Sequence, residues 1–253
     1  MGSFKAVILA AGKGVRMGSD LPKVLHVLDG RPLVAHVVES LRRAGADEII
    51  AVVGYRGDDV ERALGPGVRC VWQHEQKGTG HAVMQAEPAL SGYDGPVLIA
   101  CGDVPLIRPR AFAAMTEEAS LPGVRGVVLG MVPKSPTGYG RLVRDANGRL
   151  ERIVEERDAT DEERRIAEVN TGTYVFFGGD LFNGLRTITT DNAQGEYYLP
   201  DLVAYLSKTG GEVRTIILED ATEGSGVNTP AELQRLEGFL GRTADGTFSN
   251  RQG

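Results

Sequence analysis

Cysteine is almost missing: the 253 residues hold 2, Cys70 and Cys101, each inside an apolar run. Two thiols cannot frame a disulfide-stapled fold or complete a structural zinc site, and buried reduced thiols suit a reducing compartment. The four histidines, His26, His36, His74 and His81, lack metal-type spacing. Long apolar stretches are missing as well. The N-terminal run Ala6–Ala11 is too short for a signal-peptide core or a membrane span. Excess positive charge is also lacking, since 28 Lys+Arg stand against 34 Asp+Glu for a formal net charge of -6. That balance argues against nucleic acid or an anionic membrane as partner, because neither field favours the encounter. Any phosphate must be held by a few local groups. The expectation is a cytoplasmic globular protein.

What is present is a regular alternation. Lys5–Ala11 reads as a buried strand followed by a glycine-rich loop. Leu33, Val34, Val37, Val38 and Leu41 recur at helical spacing after Pro32, and Gly45 sits where a helix stops. Strands are expected at Ile49–Val53, Val68–Trp72 and Val97–Cys101, with helices at Asp59–Leu64, His81–Leu90 and Pro109–Ser120. Apolar strands separated by helices predict an α/β fold with a doubly wound, mostly parallel sheet covered on both faces. The second half changes character. Arg141–Arg144 and Leu150–Val154 flank the turn Asp145–Gly148, which predicts a hairpin. Val169–Phe177 and Val213–Leu218 read as strands, Leu199–Leu206 and Pro230–Leu240 as helices. Residues 132–200 therefore suggest a smaller lobe with antiparallel pieces, within a unit spanning 1–240, and 241–253 reads as a disordered tail.

Three polar clusters each follow a strand. Leu9, Ala10, Ala11 and Gly12 lead into Lys13, Gly14, Val15, Arg16, Met17 and Gly18. Small residues let backbone N–H groups approach phosphate oxygens, and Arg16 and Lys23 can supply charge. The loop is not a Walker A sequence, and Met17 stands where a dinucleotide fingerprint needs its third glycine. Cys101, Gly102 and Asp103 end another strand, where open α/β sheets place ligands; Asp103 is a candidate carboxylate for a divalent metal or a simple loop cap. Gln73 begins the third cluster, which contains Gly78 and Thr79, and its amide can pair with a base edge. The adjacent Glu155 and Glu156 could form an acid–base pair but, in a chain this charged, read first as solvated surface. Ser225 lacks the residues of a hydrolase elbow.

These clusters recur in a family order. LAAGKGVRM (Leu9–Met17), LPKVLH (Leu21–His26), QHEQKGTGHAV (Gln73–Val83), GDVPLI (Gly102–Ile107), GYGR (Gly138–Arg141), IVEERDAT (Ile153–Thr160), EVNTGTY (Glu168–Tyr174) and GVN (Gly226–Asn228) resemble the sugar-phosphate nucleotidylyltransferase family. Within it, they resemble the N-terminal uridylyltransferase domains of bacterial bifunctional enzymes, over roughly residues 4–240. The resemblance implies a Rossmann-like sheet of the nucleotide-diphospho-sugar transferase type. It also implies uridylyl transfer from UTP to N-acetylglucosamine 1-phosphate, feeding UDP-N-acetylglucosamine to cell-wall synthesis. By the same resemblance, Leu9, Ala10, Ala11 and Gly12 line the nucleotide, Arg16 and Lys23 face its phosphates, and Gln73, Gly78 and Thr79 meet base and sugar. Asp103 and Asn228 would hold Mg²⁺, while Gly140, Glu155 and Asn170 would contact the N-acetylglucosamine moiety. Two positions depart from the family pattern: Cys101 stands where Tyr is common, and Val15 where Thr is usual. Glucose 1-phosphate as the sugar, or a catalytically silent sensor, are the alternative readings. Hexapeptide repeats do not occur in these residues, so a monomer or weak dimer without acetyl transfer is expected.

Overall fold

In the computed structural model, which describes residues 3–244, the first apolar run is strand β1 (Phe4–Ala10). The glycine-rich loop follows through short 3₁₀ turns at Val15–Met17 and Lys23–Leu25. A two-strand ribbon, β2 (Val27–Leu28) and β3 (Arg31–Pro32), leads into helix α1 (Leu33–Arg43). There Leu33, Val34, Val37, Val38 and Leu41 are all buried, as their spacing predicts. Then come β4 (Ala46–Val53), α2 (Gly57–Leu64), β5 (Arg69–Trp72), α3 (Thr79–Met84), β6 (Pro96–Cys101) and α4 (Pro109–Ala119). The second half holds β7 (Val124–Met131), β8 (Arg141–Arg144), β9 (Leu150–Val154), β10 (Val169–Phe177), α5 (Gly178–Leu185), α6 (Asp201–Lys208), β11 (Glu212–Ile217) and α7 (Pro230–Ala244).

The main sheet runs β11-β7-β10-β6-β1-β4-β5, and β8 and β9 attach at β10. β1 is parallel to β4 and β6, β4 to β5, and β11 to β7. Only β10 in this path runs the other way, antiparallel to both β6 and β7. The expected α/β sheet, mostly parallel and mixed, is what forms. Ala6, Ile8, Ala51 and Leu98 face one side with α1 and α4, while Val7, Ile50, Ile99 and Phe176 face the other with α3, α5 and α6. Both faces are covered, which is why these strands read as continuous apolar runs. A third small core joins Met17, Leu28 and Leu33 to Val227 and Leu236 of the α7 region. Among the described residues no helix is long and apolar enough to cross a membrane.

Three local expectations need correction. Residues 81–90 do not make one helix: α3 stops at Met84 and a 3₁₀ turn covers Glu87–Leu90. Pro88 lacks the N–H that a continuing α-helix would need. β7 and α5 were not expected at all, because glycine breaks both patterns. Their glycines make room for neighbours. A Cβ on Gly126 would come within 2.8 Å of the Phe176 ring, and one on Gly130 within 2.7 Å of Ile217 and Leu142. Helix α7 also continues to Ala244, past Leu240; the rest of the expected tail, 245–253, lies outside the described residues.

The turn from β10 into α5 gives a paired test. A Cβ on Gly178 would overlap the Tyr93 carbonyl, which is backbone and cannot swing aside, whereas one on Gly179 meets only Asp94 Oδ1 at 3.4 Å. Gly178→Ala should cost about 1–3 kcal/mol through overpacking. Gly179→Ala should be neutral or stabilise by up to about 1 kcal/mol through helix propensity. Urea unfolding of both variants checks the opposite signs; equal effects would mean that the Tyr93 contact does not constrain this turn.

Candidate active site

The glycine-rich loop leaves β1 at the carboxyl end of the parallel strands, the edge at which open α/β sheets bind ligands. Backbone bonds fasten both sides of that strand end. Leu9 O accepts from Gly102 N at 2.9 Å, and Ala11 O accepts from Tyr55 N at 3.0 Å. Ala10 and Ala11 are buried, and a Cβ on Gly12 would meet nothing within 4 Å, so the loop opens at Gly12. Gly14 has φ 71°, and a side chain there would run into the Lys23 Cβ. Glycine is what lets the loop fold over Lys23. Val15 is 77% exposed and brings no hydroxyl.

Four residues from distant parts of the chain meet beyond this loop. Lys23 Nζ pairs with Asp103 Oδ2 and donates to Asn228 Oδ1 at 3.0 Å. Arg16 Nη2 donates to the same Asn228 oxygen at 2.8 Å. Their neighbours hold them in place. Met17 and Val227 are buried in one small core, which pins Arg16 and Asn228 from behind. Val227 N donates to Asp103 O at 2.9 Å. Asn228 N and Thr229 N donate to Glu232 Oε2 at 2.7 and 2.9 Å, and Glu232 N reaches Thr229 Oγ1 at 3.3 Å. This is a capping box, so the start of α7 sets the Asn228 backbone. Among the described residues no group of three or more His, Cys, Asp or Glu could cage a metal. One carboxylate and one amide oxygen, already gathered around a cation, do fit a hard divalent ion that brings water and phosphate as its remaining ligands.

The second cluster lies at the end of β5. Gln73 is 3% exposed; its Nε2 donates to Gly78 O at 3.1 Å and lies 3.0 Å from His81 Nδ1. Gly78 has φ 102°, and a Cβ there would come within 2.6 Å of Tyr197 O. Gly80 N donates to Tyr197 O and Tyr197 N to Lys77 O, both at 2.8 Å. Thr79 Oγ1 accepts from Leu199 N at 3.0 Å, so its hydroxyl fastens this loop to residues 197–199.

The third cluster surrounds an irregularity in β10. The register with β7 jumps between Asn170 and Thr173, leaving Thr171 and Gly172 unpaired as a bulge, and Gly172 has φ 78°. Such a bulge re-aims side chains. Asn170 Oδ1 accepts from Gly172 N at 3.0 Å, and its Nδ2 donates to the Tyr174 hydroxyl at 2.5 Å. Gly140 O accepts from Asn170 N at 2.8 Å, and a Cβ on Gly140 would stand 3.1 Å from Glu155 Oε1. Gly140, Glu155 and Asn170 are thus brought together. Burial, with Asp158 and Asp201 nearby, pushes the Glu155 carboxyl up to about 7. Cys101 Sγ lies 3.5 Å from Gly172 O, and burial pushes its thiol up to about 12, which leaves it neutral.

Some participants carry no local signal. Arg141 is 2% exposed and pairs with Glu156 Oε2 at 2.8 Å, so Glu156 is not free solvated surface. Tyr174 is 2% exposed and holds Asn170. Both lie inside the family-like stretches GYGR and EVNTGTY, the one hint the sequence carries of them.

A family model described as the MobA-like NTP transferase domain matches residues 6–196. Bifunctional protein GlmU of Oceanobacillus iheyensis is 44% identical over 235 residues, 93% of this chain and 52% of that protein. GlmU of Lactococcus lactis subsp. lactis is 44% identical over 232 residues, 92% of this chain and 51% of its own length. GlmU of Halalkalibacterium halodurans is 45% identical over 237 residues, 94% of this chain and 52% of its own length. The chain spans about half the length of these curated relatives. The strand-end loops assembled above lie largely within the matched stretch, and the chain belongs to the MobA-like NTP transferase domain family.

Proposed function

We propose that this chain transfers uridylyl from UTP to N-acetylglucosamine 1-phosphate, forming UDP-N-acetylglucosamine and pyrophosphate. The observation that carries this reading is the meeting of Lys23, Arg16, Asp103 and Asn228 beside an open glycine loop. A phosphate oxygen of the sugar phosphate attacks the α-phosphorus of UTP, the new P–O bond forms, and the bond to the β-phosphate oxygen breaks. The attacking oxygen is already anionic, so no protein base or nucleophile is required. What the chain must supply is alignment and positive charge. Arg16 and Lys23 supply charge at the α-phosphate, and Leu9, Ala10, Ala11 and Gly12 supply a wall with no side chain in the way. Asp103 and Asn228 would hold Mg²⁺, which when bound offsets the charge of the triphosphate. Gln73, behind the Gly78–Thr79 turn, reads the base.

On this reading, residues 1–240 form the nucleotidylyltransferase unit, and 132–200 carry the contacts to the sugar. Gly140 leaves room for the ring, while Glu155 and Asn170 offer polar groups to it. Pyrophosphate release measured over a panel of nucleoside triphosphates and sugar 1-phosphates tests the proposal. UTP with N-acetylglucosamine 1-phosphate should be the best pair, and activity should vanish with EDTA and return with Mg²⁺. Asp103→Asn keeps the shape but loses the charge, and should lower kcat by about 10²-fold. No preference in the panel, or near-normal kcat for Asp103→Asn, contradicts the assignment.

Glu155 adds a pH test. Its carboxyl titrates at about 7 in the folded chain against 4.5 ordinarily, so between those values the folded state binds more protons than the unfolded one. Stability contributed at this site therefore falls as pH rises from about 4.5 to about 7, by at most roughly 3 kcal/mol. Glu155→Gln removes the titration. The stability of that variant relative to the unaltered chain should climb between pH 5 and pH 8 in denaturant titrations. Parallel curves would mean that Glu155 is ionised at little cost.

A further inference from the structure

The amide of Gln73 faces two acceptors at once. Nε2 donates to Gly78 O at 3.1 Å and lies 3.0 Å from His81 Nδ1. A backbone carbonyl can only accept, so the Gly78 contact fixes which end of the amide carries nitrogen. His81 Nδ1 is then the bare, accepting ring nitrogen, and the ring proton sits on Nε2. Gln85 Nε2 donates to the His81 carbonyl at 3.0 Å and stands farther, 3.3 Å, from that second nitrogen; a neutral ring has one lone pair to offer in its plane, and the shorter contact assigns it to Nδ1. Tyr197 stacks on the ring, with centroids 6.3 Å apart and planes at 29°. Burial lowers the His81 pKa, Lys77 acts the same way and Glu75 opposes it, which favours the neutral ring.

With both hydrogens of Nε2 engaged, Oε1 is the amide atom left to face a ligand. We infer that His81 is a positioning residue that holds Gln73 as a pure hydrogen-bond acceptor and so sets the preference for uracil over cytosine. Uracil offers N3–H to such an acceptor. Cytosine has a lone pair at N3, which repels Oε1, and could pair through N3 only if the amide turned over. Turning over would bring Oε1 against Gly78 O and the His81 lone pair. A neutral His81 therefore blocks the turned state. Without that ring nitrogen only the Gly78 carbonyl opposes the turned amide, so the state that presents N–H to the base costs less to reach.

The inference rests on the uridylyl reading, and one set of measurements separates the two. The kcat/KM ratio of UTP to CTP, with N-acetylglucosamine 1-phosphate as acceptor, is compared for the unaltered chain, His81→Phe and His81→Gln. Phenylalanine keeps the ring stack on Tyr197 and removes the acceptor, so the ratio should fall about tenfold. Glutamine restores an accepting oxygen and should hold the ratio within about threefold of the unaltered value. A merely structural role would lower both triphosphates alike and leave the ratio fixed, which overturns the inference while the uridylyl reading survives. Equal use of UTP and CTP by the unaltered chain overturns both. Ring ¹⁵N shifts of the unaltered chain test the same point without a variant: a neutral Nε2–H tautomer at His81 is expected, and an Nδ1–H tautomer or a cation at pH 7.5 rules the inference out.

Discussion

The ammonium of Lys23 lies between two oxygens supplied by distant parts of the chain, the carboxylate of Asp103 just past β6 and the amide of Asn228 before α7. Lys23 and Asp103 are only 20% and 14% exposed, so either charge left without the other would be costly to keep out of water. Much of the surrounding architecture serves to hold these groups in register. Gly14 lets the loop fold over Lys23, the capping box of Thr229 and Glu232 orients Asn228, and the core of Met17 and Val227 ties loop to helix. The arrangement is already a cation held by a carboxylate and an amide oxygen. On the proposed reading, a triphosphate and its metal would meet the same complementary charges.

A second constraint links the two regions proposed to bind base and sugar. The segment 192–199 bonds to both. Tyr197 and Leu199 fasten Gly80, Lys77 and Thr79, while Ala193 N donates to Asp158 Oδ1 at 2.8 Å and Tyr198 lies 3.3 Å from Asp158 Oδ2. Asp158 in turn adds to the burial that raises the Glu155 carboxyl. One strap therefore spans the two substrate-binding regions we propose, and most of its bonds to them use backbone atoms. On the proposed reading, side chains at the two ends, Gln73 and Glu155, are left to carry the discrimination.

Much of this fold was legible in the chain. Strands buried on both faces read as apolar runs, and α1 read from the spacing of Leu33 through Leu41, because burial alone decides those patterns. β7 and α5 were not legible, since Gly126, Gly130, Gly178 and Gly184 look like loop residues until Phe176, Ile217, Tyr93 and Leu202 are seen packed against them. In the site, Asp103 and Gln73 could be singled out as polar residues at strand ends. Their partners could not be derived from spacing. Asn228 lies 205 residues from Lys23, so only family resemblance joined them before the fold was known. Arg141 and His81 act through tertiary contacts, and no local pattern announces a buried arginine or the tautomer of a ring.

The most direct test of the central claim is a crystal structure of the chain with a non-hydrolysable UTP analogue and Mg²⁺. The account predicts the α-phosphate beside Arg16 and Lys23, the metal on Asp103 and Asn228, and uracil N3 facing Gln73 Oε1. A nucleotide bound away from the Lys23–Asp103–Asn228 cluster, or a metal that touches neither Asp103 nor Asn228, would contradict it.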